Sequence, residues 1–305
     1  MISRKNYTKA KLNSICRDLV SEDLESYIEK SYALLLFTKN NVIKVFDENY
    51  SRSNNTLMKE YEWDNQFEYL SPKVICGYRG INDHDILITK RIPSISSVCL
   101  MLSCKTIQPN EILTIFEFIE KLELPLSNES HADLYKRYLK NIVYQIEELS
   151  KSCRDDVYLH LVKKYIESVD SDIFIFSCKN KRVRSVHGNL FSSNIFLHES
   201  QVIIIDPISD GHISSVADII VDIATFFVDV SIFCDDTLKS CIRHALNEKY
   251  SVDERLLFKM HYILKLLVRL RFAFLERKLH NNNVANANEI IIEQVPELLC
   301  KEILV

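Results

Sequence analysis

Glycine is nearly absent from this chain: there are four in 305 residues, at Gly77, Gly80, Gly188 and Gly211. Backbone that turns with positive φ, or that must come close to a phosphate, is ordinarily built from glycine. The four positions therefore exclude several site classes. No GxGxxG dinucleotide turn, no GxxxxGK[ST] phosphate loop and no GxSxG nucleophile elbow can be written in this sequence. No segment repeats with a period of roughly 20–50 residues either. With 47% hydrophobic and 26% charged residues the chain is globular in composition, and long enough for one large core or two smaller ones.

The hydrophobic pattern divides the chain into two parts. The first 25 or so residues read as a helix with Leu12, Ile15, Cys16 and Val20 on one side. Residues 33–38 and 42–46 are apolar runs flanking a polar turn, the signature of a β-hairpin. A helix carrying Leu57, Tyr61 and Phe67 should follow and end near Pro72, then strands at 73–77 and 86–90 before Pro93. After Ser94 the spacing turns helical, through Tyr135, Leu139, Ile142, Ile146 and Leu149, then Leu161, Tyr165 and Val169. Ile173 to Phe176 reads as a short strand, and 195–197 with 202–205 as a second hairpin. From Val216 onward the pattern is helical, broken by a polar loop from Asn281 to Asn288. The expected architecture is α+β: a β-rich part over residues 1–94, and a helical part over residues 95–305 with one embedded hairpin.

Charge narrows the partners. The 38 Lys and Arg against 42 Asp and Glu give a net charge of −4, which offers no footprint for nucleic acid. The most basic run, Lys179 to Arg184, is short and reads as a solvated face. Nine cysteines, odd in number and none spaced CxxC, follow an N-terminus with no apolar leader, so a reducing, cytoplasmic setting is expected. No run approaches the ~20 apolar residues of a membrane span. His84, His198 and His212 are dispersed, without metal-ligand spacing.

One segment carries chemistry. It runs His187-Gly188-Asn189-Leu190-Phe191-Ser192-Ser193-Asn194-Ile195-Phe196-Leu197, then Val202-Ile203-Ile204-Ile205-Asp206, and is followed by Asp218, Asp222-Ile223-Ala224-Thr225-Phe226 and Asp229. This resembles the HGDxxxxNIL…VIDF and D…DLAF signatures of the aminoglycoside phosphotransferase and choline kinase family. The resemblance implies a two-lobed, protein-kinase-like fold, with a small β-rich N-terminal lobe and a larger helical C-terminal one. It also implies a kinase that binds ATP or GTP with Mg²⁺ between the lobes and phosphorylates a hydroxyl of a small molecule. A kinase acting on proteins is an alternative on the same architecture, and fold does not choose the acceptor.

The resemblance assigns roles to particular residues. Asn194 and Asp206 would be the oxygen ligands of Mg²⁺, which takes one or two protein ligands and the rest from phosphates and water. His187 would belong to the catalytic loop with residue 189, and Asp222 would support that loop by accepting hydrogen bonds from its backbone. Lys44, mid-strand among Val42, Ile43, Val45 and Phe46, would meet the α- and β-phosphates. Its partner would be Glu60 or Glu62, of which Glu60 is preferred because Phe67 then lies seven residues on as an anchor of the same helix. The strand containing Ile88 and Lys90 would be the hinge side facing adenine. Read from the residues alone, Asp218 complements a helix N-terminus. Ile219, Ile223, Phe226 and Val230 mark that helix's buried stripe, and the acids lie on a neighbouring strip. Arg269, Arg271 and Arg277 are read as solvent-exposed.

The sequence departs from the family at one decisive place: Asn189 stands where the family has the aspartate that orients the acceptor hydroxyl and takes its proton. An amide can hydrogen-bond a hydroxyl but is not a base, and loss of a general base costs ~10²–10⁴ in rate. Three explanations compete: a substitution made to trap a complex, a pseudokinase that binds nucleotide to regulate a partner, and an enzyme whose base lies elsewhere. The first is preferred, because Lys44, Asn194, Asp206 and Asp222 are all in place.

Overall fold

The computed structural model describes residues 8–29, 33–46, 60–61, 64, 71–81, 84–122, 126–152, 157–169, 171–178, 183–199, 201–206, 216–278 and 285–304. Of the positions named above, Leu57, Glu62, Phe67, Gly211, His212, Asn281 and the first residues of the basic run lie outside them.

The chain enters α1 (Lys9–Val20) at Thr8, whose hydroxyl oxygen accepts the Lys11 N–H and caps the helix. An antiparallel sheet of five strands follows: β1 (Ser26–Glu29), β2 (Ala33–Phe37), β3 (Asn41–Phe46), β4 (Val74–Ile81) and β5 (His84–Lys90), in the spatial order β1-β2-β3-β5-β4. Strand β1 was not among the expected ones; three of its four residues are exposed, so no hydrophobic alternation announces it. Register fixes the two faces. Leu34 lies opposite Val45, Leu36 opposite Ile43, and Ile43 opposite Ile88. These side chains share one face and bury against Leu12 and Cys16 of α1. The two-residue period of β3 sends Lys44 and Phe46 to the other face, where Ala33, Leu87 and Tyr61 pack. Gly77 on β4 lies close under this face: a Cβ at that position would sit 3.0 Å from Cδ2 of Tyr61, so the ring would have to give by a few tenths of an ångström.

Helices then dominate: α2 (Val98–Ser103), α3 (Pro109–Glu120), α4 (His131–Ser150), α5 (Val157–Ser168) and α6 (Ser171–Cys178). Helix α6 replaces the strand expected at 173–176. The run Ile-Phe-Ile-Phe fits a strand locally, but Phe174, Ser177 and Cys178 are buried at helical spacing while Ile173 and Phe176 are exposed. The Ser177 hydroxyl donates to the carbonyl of Ile173, four residues back.

A short strand β6 (Arg184–Ser185) precedes the hairpin of β7 (Ile195–His198) and β8 (Gln201–Ile204), and pairs with β9 (Val216–Ala217). The chain ends in α7 (Ile220–Phe233), α8 (Asp236–Lys249), α9 (Val252–Lys278) and α10 (Ala285–Leu304). Helix α10 starts inside the stretch expected to be a polar loop, and Asn288 is buried in its first turns. In helix α7 all fourteen residues are buried, so the strip that carries Asp222 and Asp229 is as enclosed as the apolar stripe beside it. None of the described helices is long and apolar enough to cross a membrane.

These elements group into two compact units, Met1–Ser97 with Asn194–Gly211, and Val98–Ser193 with His212–Val305. The β7–β8 hairpin, assigned from sequence to the part after residue 94, groups with the sheet.

Candidate active site

In the first unit the key side chain is Lys44. Its Nζ donates to both carboxylate oxygens of Glu60, at 3.0 and 2.8 Å, and to Oδ1 of Asp206. The three side chains are 9%, 8% and 15% exposed, so this is a buried ion triad. The Phe46 ring, two residues along β3 on the same face, lies 5.1 Å from the ammonium. Asp206 follows β8 with φ of 61°, a left-handed conformation uncommon for a residue with a side chain. Such outliers concentrate where a side chain must be aimed at something. Asn194 closes a 3₁₀ turn, Ser192–Asn194, is buried, and its main-chain oxygen accepts the N–H of Ile205 at 2.9 Å. With Ile195 opposite Ile204, Asn194 and Asp206 flank the same open end of the hairpin.

A further acid, missed in the sequence, belongs to this cluster. Asp64, one helical turn beyond Glu60, is only 3% exposed. Burial, then the charge of Glu60, pushes its carboxyl up to about 8, against a Ser71 hydrogen bond and the pull of Lys44. Its Oδ1 has no hydrogen-bond partner.

The expected hinge residues sit differently from one another. Ile88 is fully buried, in the core against α1. Lys90 is exposed; its N–H donates to the carbonyl of Lys73 at 2.8 Å. Strand β5 is paired on both sides, with β3 and β4, so its backbone groups are spent on the sheet.

The second unit holds the loop from His187 to Ser193. The amides of His187 and Gly188 donate to Oδ2 and Oδ1 of Asp222 at 2.9 and 2.8 Å. The amide and hydroxyl of Ser192 donate to Oδ2 of Asp229 at 2.8 and 2.6 Å. Gly188 has φ of 76°, a turn that a side chain would strain. The Phe191 amide folds back onto the carbonyl of Asn189 at 2.8 Å, and the Asn189 side chain is half-buried.

The acids of α7 are held by bases the sequence reading did not link to them. Burial pushes Asp222 up to about 6, opposed first by Lys265 and then by the two loop amides. Asp218 accepts the Ile220 amide at the start of α7, and its other oxygen lies 3.0 Å from Nε2 of His261. Burial alone would raise Asp218, but His261 holds it below its ordinary value. Arg269 corrects an expectation. It is not solvated but 17% exposed, with Nε 2.9 Å from Oδ1 of Asp229. Neither atom is in an aligned hydrogen bond, so this is a charge contact. Arg271 reaches the Tyr144 hydroxyl, and Arg277 is the exposed one, paired with Glu289. Of the histidines, His198 sits on the hairpin with its Nδ1 3.4 Å from the Ser96 hydroxyl.

No protein-family model matches this chain, and a comparison with curated protein sequences finds no match. Its structure does match solved ones. A choline/ethanolamine kinase family protein from Mesorhizobium loti superimposes with a TM-score of 0.61 at 13% identity, over 100% of this chain and 96% of that one. An aminoglycoside phosphotransferase from Streptomyces rimosus gives 0.56 at 15% identity, over 87% and 99%. Choline kinase from Cryptosporidium parvum gives 0.54 at 12%, over 97% and 98%. Identities this low carry the fold and nothing finer. An N-terminal five-stranded antiparallel sheet followed by a mainly helical region is the fold of choline kinases and aminoglycoside phosphotransferases, and this chain has it.

Proposed function

We propose that this chain is a nucleotide-binding phosphotransferase that uses ATP or GTP with Mg²⁺ and takes a small-molecule hydroxyl as acceptor. The observation that carries the reading is the contact of Lys44 with both Glu60 and Asp206. A lysine buried among apolar strand residues is costly unless paired, and here it is paired with the two carboxylates that nucleotide binding needs beside it. Asp206 and Asn194 fit Mg²⁺ in kind: both are hard oxygen donors at one end of a hairpin, and the φ of Asp206 aims its carboxylate rather than following the strand. When bound, the metal would neutralise charge on the transferring phosphoryl group. Lys44 would orient the phosphates, Glu60 would hold Lys44, and Asp222 would keep the His187–Gly188 backbone in shape. Other structures of this fold were solved with GDP and kanamycin, and with ADP and streptomycin. These support a nucleotide and a polyhydroxyl acceptor as the ligand classes to try first.

Asn189 favours a second reading, a nucleotide-binding pseudokinase acting as a regulatory module, since no carboxylate stands at that position. Both readings require nucleotide. Melts of the full chain with millimolar Mg-ATP or Mg-GTP should move upward, by the equivalent of ~2.7 kcal/mol at a hundredfold excess over Kd. Asp206→Ala should remove the magnesium-dependent part. No shift with either nucleotide, in protein shown to be folded, sinks both readings.

A further inference from the structure

Helix α9 carries three basic residues at successive turns, His261, Lys265 and Arg269, within an otherwise apolar stretch from Met260 to Leu270. All three face acids or loop atoms. His261 meets Asp218. Lys265, 2% exposed, donates its Nζ to the carbonyl oxygen of Gly188 and is the cation that offsets the burial of Asp222. Arg269 meets Asp229, and its guanidinium carbon lies 5.1 Å from the centroid of the Phe191 ring.

A lysine at the centre of a buried helix, between Leu264 and Leu266, is a poor choice for packing alone. Desolvating an ammonium costs several kcal/mol, and a leucine or methionine would fill the space. What distinguishes Lys265 is the identity of its partners. Gly188 is clamped on both sides of its α-carbon, its N–H by Asp222 and its carbonyl by Lys265. The peptide linking Gly188 to Asn189 is planar. Fixing its oxygen fixes the Asn189 N–H and α-carbon in the same plane, and the Phe191 N–H held on the Asn189 carbonyl at 2.8 Å restrains the far side of residue 189, so the two together set the direction in which its side chain leaves the backbone. Arg269 acts on the far end of the same loop, touching Phe191 directly and Ser192 through Asp229.

We infer that Lys265 and Arg269 are positioning residues that hold the 187–192 loop from the α9 side and thereby set the orientation of residue 189. The meaning given to residue 189 rests on the proposed function; the clamp does not.

Hydrogen–deuterium exchange of the full chain, followed by peptide and corrected for intrinsic rate, tests this. In Lys265→Met, exchange of the 187–192 amides should rise about tenfold or more, while the β2–β3–β5 sheet is unchanged. In Arg269→Met the increase should centre on 190–192. The acid-side loosening of the loop should also occur at higher pH in Lys265→Met. Asp222 then keeps the repulsion of Asp218, itself paired with His261, and the two loop amides, but loses the cation opposing its burial. A packing role predicts uniform loosening of α7 and α9 with no pH displacement; that result, or unchanged loop exchange, overturns the inference. Should Lys265→Met not fold, Lys265→Gln keeps a donor for the Gly188 carbonyl but no charge. The pH displacement should persist in it, and its absence counts against the inference. Absence of a shift with both Mg-ATP and Mg-GTP in the parent protein would instead remove the phosphotransferase reading and leave the exchange result standing.

Discussion

The ammonium of Lys44 touches the carboxylate of Asp206, a residue 162 positions later in the chain. This contact joins the sheet to the residue that follows the β7–β8 hairpin, and it leaves three carboxyls, those of Glu60, Asp64 and Asp206, gathered near one ammonium. Without nucleotide, Lys44 is the counter-charge that makes this set of buried acids tolerable. With nucleotide, the same ammonium is the group that phosphates would recruit.

Lys44→Met should therefore weaken the fold as well as the proposed binding. Removing one partner of a buried pair leaves charges uncompensated and costs ~3–5 kcal/mol, a fall in melting temperature on the order of 10 °C. Adding Asp206→Asn to Lys44→Met should recover part of the loss, because one orphaned charge goes with it. Strict additivity of the single and double variants in urea unfolding would show that the contact carries no coupling energy.

Asp64 should make stability fall as pH rises. Its folded value is raised from 3.8 to about 8, so between those values the folded state holds a proton that the unfolded chain has released. Stability linked to this group is therefore full below about pH 4 and is lost progressively as pH climbs through 8. Asp64→Asn, which cannot ionise, should leave stability near pH 4 unchanged and raise it by up to a few kcal/mol at pH 8–9. Chemical denaturation at pH 5 and pH 8.5 reads this. An equal effect of the substitution at both values would mean that Asp64 is not proton-bound in the folded state.

Asp222→Asn is a near-isosteric change with a large expected effect. The carboxylate uses both oxygens, one for each amide of His187 and Gly188. An asparagine can accept with only one, and turns its NH₂ toward the other N–H. Leaving a buried donor unpaired costs ~1–3 kcal/mol, and Lys265 loses its counter-charge in addition. Calorimetry of the variant should show a clear drop in melting temperature. Stability within about 0.5 kcal/mol of the parent would contradict the two-amide role.

How far these features could be read from sequence depended on whether their signal was local. The apolar runs on either side of the polar turn at 39–41 placed Lys44 mid-strand, because a strand packed on both faces is apolar nearly throughout. The motif from His187 to Asp206 gave the loop and the hairpin together. Strand β1 escaped because an exposed edge carries no alternation. The run at 171–178 misled because aromatic and β-branched residues suit a strand until tertiary packing selects Phe174, Ser177 and Cys178. The basic partners of the acids at residues 218–229 were not linked to them in the sequence because they lie far along the chain, His261 being 43 positions from Asp218. Yet a signal existed: three basic residues spaced by four in an apolar helix seldom all face water, and His261, Lys265 and Arg269 do not.

Residue 189 decides between an impaired enzyme and a binding module. Asn189 sits half-buried in a loop fixed at His187 and Gly188 by Asp222 and at Ser192 by Asp229, so a substitution there inherits a defined backbone. Asn189→Asp changes an amide for a carboxylate of the same size and should leave the melting temperature within a few degrees. If position 189 is where the acceptor proton is taken, transfer of labelled γ-phosphate to a hydroxyl acceptor should rise by ~10² or more. Aminoglycosides, choline and a cell extract should each be offered, because hydrolysis without an acceptor can be slow in a competent kinase. Equal turnover by both forms would show that residue 189 is not the base. An Asp form that binds Mg-ATP yet labels nothing in any mixture would favour the regulatory module, since positioning and base would then both be present without an acceptor to use them.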